Sequence, residues 1–175
     1  MNLKAHFIPI IFILSLMLFS CGGEKKAEAT EESSDMAVVS ESRAAANRVN
    51  PGDTVKIVVN STDQMQYDIN EIKAYEGTIV ELTLNHTGQM AIEVMGHNLV
   101  ILKPGVEVAD YASRSFGARD NDYIPEGDEA IAYTTMLGGG ESSTIIFDAP
   151  SKGTYDFICS FPGHYGVMNG KFIVE

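Results

Sequence analysis

Thr78-Ile-Val-Glu-Leu-Thr-Leu-Asn85 alternates without a break, with Val80, Leu82 and Leu84 on one side and Ile79, Glu81, Thr83 and Asn85 on the other. A period of two places each set on its own face of a β-strand, so the Val80–Leu82–Leu84 face is expected to be core. Outward from this run the texture repeats: short β-rich stretches divided by turn residues. Candidate strands precede it at 54–59, 66–70 and 72–75, and follow it at 96–101, 131–134, 143–147, 153–159 and 170–174. Many short strands with frequent turn signals and no βαβ texture predict an all-β, antiparallel Greek-key sandwich or barrel. The alternation fails between Lys103 and Glu129. A short helical insertion is expected around 104–129, with the helix over 106–115. No internal repeat is visible.

The chain has 175 residues and a net charge of −12. Its first twenty residues hold one charge, Lys4, ahead of an apolar run from Phe7 to Phe19. That run is short for a membrane-spanning helix, which needs about 20 apolar residues, and reads as an export signal. It ends in Leu18-Phe19-Ser20-Cys21-Gly22-Gly23, which resembles the lipobox of bacterial lipoproteins. Residues 1–20 are therefore read as a lipoprotein signal peptide and Cys21 as the lipidated residue. The localisation expected is a lipid anchor on a bacterial membrane, facing the periplasm or cell exterior. Residues 21–50 are rich in Ala, Glu, Ser, Lys and Thr with no aromatic residue, too polar to offset the entropy of ordering, and are expected to be a flexible acidic tether. From Asn50-Pro51-Gly52-Asp53 the composition changes, and 51–175 reads as one folded domain. Loss of the leader would make the balance one unit more negative. Nucleic acid is excluded as a partner, because duplex binding needs clustered Lys and Arg to neutralise phosphates.

The segment richest in chemistry is Cys159-Ser-Phe-Pro-Gly-His164-Tyr-Gly-Val-Met168, where a thiol, an imidazole and a thioether lie within ten residues. His97, in Val94-Met95-Gly96-His97-Asn98, can add a fourth side chain. Two His and one Cys in a plane with a weak axial Met is the ligand set of blue-copper sites: thiolate and thioether suit Cu(I), and imidazole suits both oxidation states. Each part has an ordinary reading alone: a spare thiol, a Met filling the core, a polar residue on a strand. The combination is what specifies copper.

On these residues, and on Asp63-Gln64-Met65-Gln66-Tyr67, the domain resembles the azurins of the cupredoxin family over about 63–174. The spacing Cys-x4-His-x3-Met matches azurins, whereas plastocyanins and amicyanins have shorter gaps between Cys and His. The resemblance implies a single type 1 copper with His97, Cys159 and His164 as equatorial ligands, Met168 as a distant axial ligand, and the Gly96 carbonyl opposite. It also implies that Asn98 hydrogen-bonds across to the ligand loop and helps hold the thiolate, with Phe161 beside the ligands. Pro162 fixes φ and stiffens the loop, which limits reorganisation between oxidation states. Phe161 and Pro162, with Met65, Met90, Met95 and Val167, are expected to form an apolar docking collar around the exposed edge of His164. His86 aligns with a second azurin histidine that is not a ligand; a loop-end His bonded to backbone is the simpler reading, and a proton-linked role the other.

Three features depart from the azurins. No cysteine pair remains for their N-terminal disulfide once Cys159 holds metal and Cys21 holds lipid. Leu99 stands where a Trp commonly follows the His-Asn pair, and the chain has no Trp. The lipobox and long acidic tether are unlike a freely diffusing azurin. The function implied is one-electron transfer between extracytoplasmic redox proteins, a cytochrome among them, with copper cycling between Cu(I) and Cu(II), and no substrate transformed. An oxidase or nitrite-reductase fragment would need a second, histidine-rich copper site, but outside the leader the chain has only His86, His97 and His164. Copper storage would favour an open, Met-rich site over a thiolate in a rigid loop.

Overall fold

The computed structural model describes residues 50–175. The leader, Cys21 and the tether up to residue 49 lie outside the described residues. Among the described residues nine strands form two sheets: β1 (Thr54–Thr62), β2 (Gln66–Tyr67), β4 (Ile79–His86) and β7 (Ser142–Asp148) in the order β2-β1-β4-β7, and β3 (Glu71–Ala74), β5 (Val100–Leu102), β6 (Ala130–Tyr133), β8 (Gly153–Ile158) and β9 (Asn169–Val174) in the order β3-β9-β8-β5-β6. The chain passes repeatedly from one sheet to the other, giving the Greek-key β-sandwich.

The alternating stretch at 78–85 is the central strand β4, and Val80, Leu82 and Leu84 are fully buried. They meet Ile72, Leu99, Ile101, Phe157 and Phe172 in the core between the sheets. Each such side chain contributes about 1.5–3 kcal/mol on leaving water. The fourth inward position of β4 is His86. That strand therefore runs from the apolar core to the chemistry at one end of the sandwich.

The pairing is not wholly antiparallel. β1 runs parallel to β4 and β3 parallel to β9. No βαβ unit is needed, because the chain between β1 and β4 leaves the first sheet to form β3 in the second and then returns. The stretch 96–101 is also only partly strand. β5 begins at Val100, and His97 is held instead by an isolated pairing with Leu137.

The insertion contains a helix at Val108–Ser115 and a 3-10 turn at Arg119–Asn121. It closes a second core of Val100, Leu102, Tyr111, Ile124 and Ile158. This explains why Leu99-Val-Ile-Leu102 is apolar throughout: β5 is covered on both faces.

Candidate metal centre

Cys159 follows β8 directly and Met168 immediately precedes β9, and the Cys159 N–H donates to the Met168 carbonyl at 2.9 Å. The ten-residue loop is thus closed at its base by two adjacent antiparallel strands. Inside it, the His164 N–H donates to the Phe161 carbonyl at 3.0 Å across Pro162 and Gly163, the latter at φ +84°. Pro at the second position and a positive-φ Gly at the third make a type II turn, so the sequence itself presets where His164 stands. The Met168 N–H then donates to the His164 carbonyl at 2.8 Å.

The second ligand segment comes from the other side. After β4 a single helical turn, α1 (Ile92–Met95), leads into Gly96. A Cβ on Gly96 would lie 2.6 Å from the Ile92 carbonyl and 2.9 Å from the Phe161 ring. Only glycine lets this backbone approach the loop so closely. His97 exchanges two backbone hydrogen bonds with Leu137, at 3.0 and 2.8 Å.

These supports bring His97, Cys159 and His164 together, with one donor atom from each lying within 4.8 Å of the others. Cys159 Sγ is 3.7 Å from His164 Nδ1, 4.0 Å from His97 Nδ1 and 3.9 Å from the Gly96 carbonyl oxygen. Bonds of about 2.0 Å to nitrogen and 2.3 Å to sulfur in a trigonal plane require donors roughly 3.7 Å apart, so the three side chains fit one ion between them. His97 and Cys159 are fully buried and His164 is 3 % exposed.

The tautomer of His97 is fixed by its surroundings. Nε2 lies 2.9 Å from the Thr62 carbonyl, which can only accept, so Nε2 carries the proton and Nδ1 keeps its lone pair. Burial pushes both His97 and His164 down to about 4, leaving the imidazoles neutral and able to ligate. Burial pushes the Cys159 thiol up to about 11, while the backbone N–H groups of Asn98 and Phe161 and the Tyr67 hydroxyl pull the other way. A bound cation would displace the thiol proton. Among the described residues Cys159 is the one cysteine, and it is a free thiol.

Asn98 makes the expected link to the ligand loop. Its Oδ1 accepts the Ser160 N–H at 2.9 Å, and its Nδ2 donates to Ser160 Oγ at 2.8 Å and to the Asp122 carbonyl at 2.9 Å. Met168 is fully buried and packs with Cys159, Phe161 and Met136. His86 is buried with its ring 4.4 Å from that of His97, and both its nitrogens are engaged: Nε2 with the Met95 carbonyl at 2.9 Å, Nδ1 with the Gly88 N–H at 3.1 Å. The backbone-bonded reading of His86 therefore holds.

The docking collar is corrected in two respects. His164 has almost no exposed edge. Phe161 is only 9 % exposed, because its ring lies between those of His164 (4.6 Å) and Tyr123 (5.2 Å). It underlies the surface instead of forming it. Met65, Met95 and Pro162 are half-buried, while Met90 and Val167 are exposed, joined by an exposed Val94 that the sequence did not single out.

Several participants were not legible in the sequence. Met136 follows β6 and touches the thiolate cluster, Thr62 acts through its carbonyl, and the Tyr67 hydroxyl donates to the Asn98 carbonyl. Asp63 accepts the N–H groups of Gln89 and Met90, which hold its carboxyl below the ordinary range and pin the loop beside Met90. Backbone contacts leave no residue-type signal. A Met outside the ligand loop reads only as core.

Comparison with known proteins agrees with this geometry. The family model of copper binding proteins, plastocyanin/azurin family, matches residues 53–175. The azurin of Pseudomonas chlororaphis is 40% identical over 129 residues, 69% of this chain and 98% of that protein. Outer membrane protein H.8 of Neisseria gonorrhoeae is 40% identical over 118 residues, 65% of this chain, and the match spans 63% of that protein's length. Among solved structures, the dithionite-reduced auracyanin of Roseiflexus castenholzii superposes with a TM-score of 0.64 at 34% identity, over 71% of this chain and 99% of its own. With a buried two-histidine, one-cysteine donor set on a Greek-key sandwich and a family match across the whole described domain, this chain belongs to the plastocyanin/azurin family of copper-binding proteins.

Proposed function

We propose that the chain is a one-electron carrier with a single type 1 copper, which His97, Cys159 and His164 would hold, with Met168 and the Gly96 carbonyl beside them. When bound, copper supplies the Cu(I)/Cu(II) couple. The observation that carries the reading is the spacing of the three donors, 3.7 and 4.0 Å from sulfur to the two imidazole nitrogens, with Cys159 and His164 on a hydrogen-bonded loop and the His97 ring oriented by the Thr62 carbonyl. A site preset in this way changes little between oxidation states, which favours electron transfer over metal storage. The chain's own residues exclude water, keep the imidazoles neutral and hold the thiolate.

Electrons leave through His164 to redox proteins, a cytochrome among them, that meet the apolar surface of Met90, Val94 and Val167 with Met65, Met95 and Pro162 at its border. The acidic balance favours a partner with basic groups outside that contact. A lipid on Cys21 tethers the domain to a bacterial membrane, outside the cytoplasm. The name of the Neisseria relative, an outer membrane protein, supports a membrane-facing placement.

Voltammetry of the copper-loaded domain tests the carrier reading. A single reversible one-electron wave is expected. Absence of a wave together with ready loss of copper to a competing chelator would favour storage. For the anchor, Cys21→Ser should move the protein from the membrane to the soluble fraction, and unchanged membrane attachment would refute it.

A further inference from the structure

The hairpin that links β1 to β2 touches the metal centre at two residues. Its Thr62 carbonyl orients the His97 ring at 2.9 Å, and its Tyr67 hydroxyl donates to the backbone carbonyl of Asn98. That carbonyl lies between two backbone pairings, His97 with Leu137 and Leu99 with Thr134. It faces the hydroxyl instead. Tyr67 pairs with Ser61 across the hairpin, and its ring lies 5.7 Å from that of Phe157 and against the cluster of Cys159, Met136 and Met168. A phenylalanine ring would fill the same space, so packing does not account for the hydroxyl.

We infer that the Tyr67 hydroxyl is a positioning group of the electron-transfer centre. By holding the Asn98 carbonyl, it fixes the backbone between ligand His97 and the side chain that clamps Ser160, and so helps set the reduction potential. The inference rests on the blue-copper reading of the same site. The chain of contacts is short. Tyr67 holds Asn98, Asn98 holds the Ser160 N–H and Oγ, and Ser160 adjoins Cys159. The clamp therefore sets where the Cys159 sulfur stands against the His97 ring, and a shift of either changes how strongly each would donate to the metal.

The test is Tyr67→Phe in the copper-loaded domain, with amide hydrogen exchange of the metal-free protein as a second readout. The variant should keep the intense visible band, show a reduction potential shifted from that of the parent, and exchange the Ser160 amide faster when metal-free. A parent without the band would overturn the copper reading and this inference with it. A parent with the band, joined to a variant of unchanged potential and unchanged Ser160 exchange, would overturn the role of Tyr67 alone. If Tyr67→Phe does not fold, fluorotyrosine placed at position 67, a stronger donor of nearly the same size, should shift the potential, and an unchanged potential would overturn the inference.

Discussion

The side chain of Asn98 clamps Ser160 at two points across 62 residues of sequence, with the Ser160 N–H on Asn98 Oδ1 at 2.9 Å and Asn98 Nδ2 on Ser160 Oγ at 2.8 Å. The clamp joins the residue after ligand His97 to the residue after ligand Cys159. Both partners are buried, so neither group finds water if the other is lost. Asn98→Ala should therefore destabilise the domain by about 2–3 kcal/mol, chiefly by leaving the Ser160 N–H unpaired. Urea denaturation of the metal-free protein measures this. A loss below about 0.5 kcal/mol would mean that the clamp is incidental.

Gly96 carries the closest backbone approach at the site. A methyl group there would meet the Ile92 carbonyl at 2.6 Å and Met136 Sδ at 3.0 Å. The sulfur can move but the helical carbonyl cannot, so Gly96→Ala should cost about 1–3 kcal/mol by overpacking. It should also weaken copper retention against a chelator, because the carbonyl and His97 shift together. Parental stability and parental retention would contradict this account.

Met168 is fully buried in the thiolate cluster and offers a neutral, weakly donating thioether. Met168→Leu preserves volume and should cost less than about 1.5 kcal/mol. It removes the residual donation that favours Cu(II), so the potential should rise while the blue colour stays. Met168→Gln supplies a harder oxygen donor, and the potential should fall. Voltammetry of both variants checks the sign. Two parental potentials would make Met168 a core residue only.

Without metal, the two ligand histidines make stability depend on pH. Their folded values lie at about 4 against 6.5 for a free imidazole, because burial disfavours the charged ring. Between those limits the unfolded chain binds more protons than the folded one, so stability rises with pH. Their contribution is complete above 6.5 and is lost as pH falls toward 4. The urea midpoint of the metal-free domain should drop from pH 7 to pH 4.5, and drop less in His164→Leu. Equal losses in parent and variant would show that other groups carry the effect.

What could be read from the chain divides along physical lines. β4 was legible because one of its faces is buried and the other is not, and that asymmetry writes itself as alternation from Val80 to Leu84. The ligand loop was legible because Cys, His and Met at fixed short spacing have few joint uses, and Pro162-Gly163 names its own turn. Parallel pairing of β1 with β4 was not legible: register across a sheet depends on a neighbour 25 residues away in sequence, and no local pattern encodes it. The burial of Phe161 escaped for the same reason, since its cover, Tyr123, comes from the insertion. Thr62 contributes only a carbonyl, which every residue but none in particular provides.

Sulfur-to-copper bonding at Cys159 is tested most directly by the optical spectrum of the Cu(II)-loaded protein. A thiolate in a two-histidine plane should give an intense absorption near about 600 nm. Cys159→Ser should lose that band even where some copper still binds. An intense band retained in Cys159→Ser, or its absence from the copper-loaded parent, would contradict the assignment of this site.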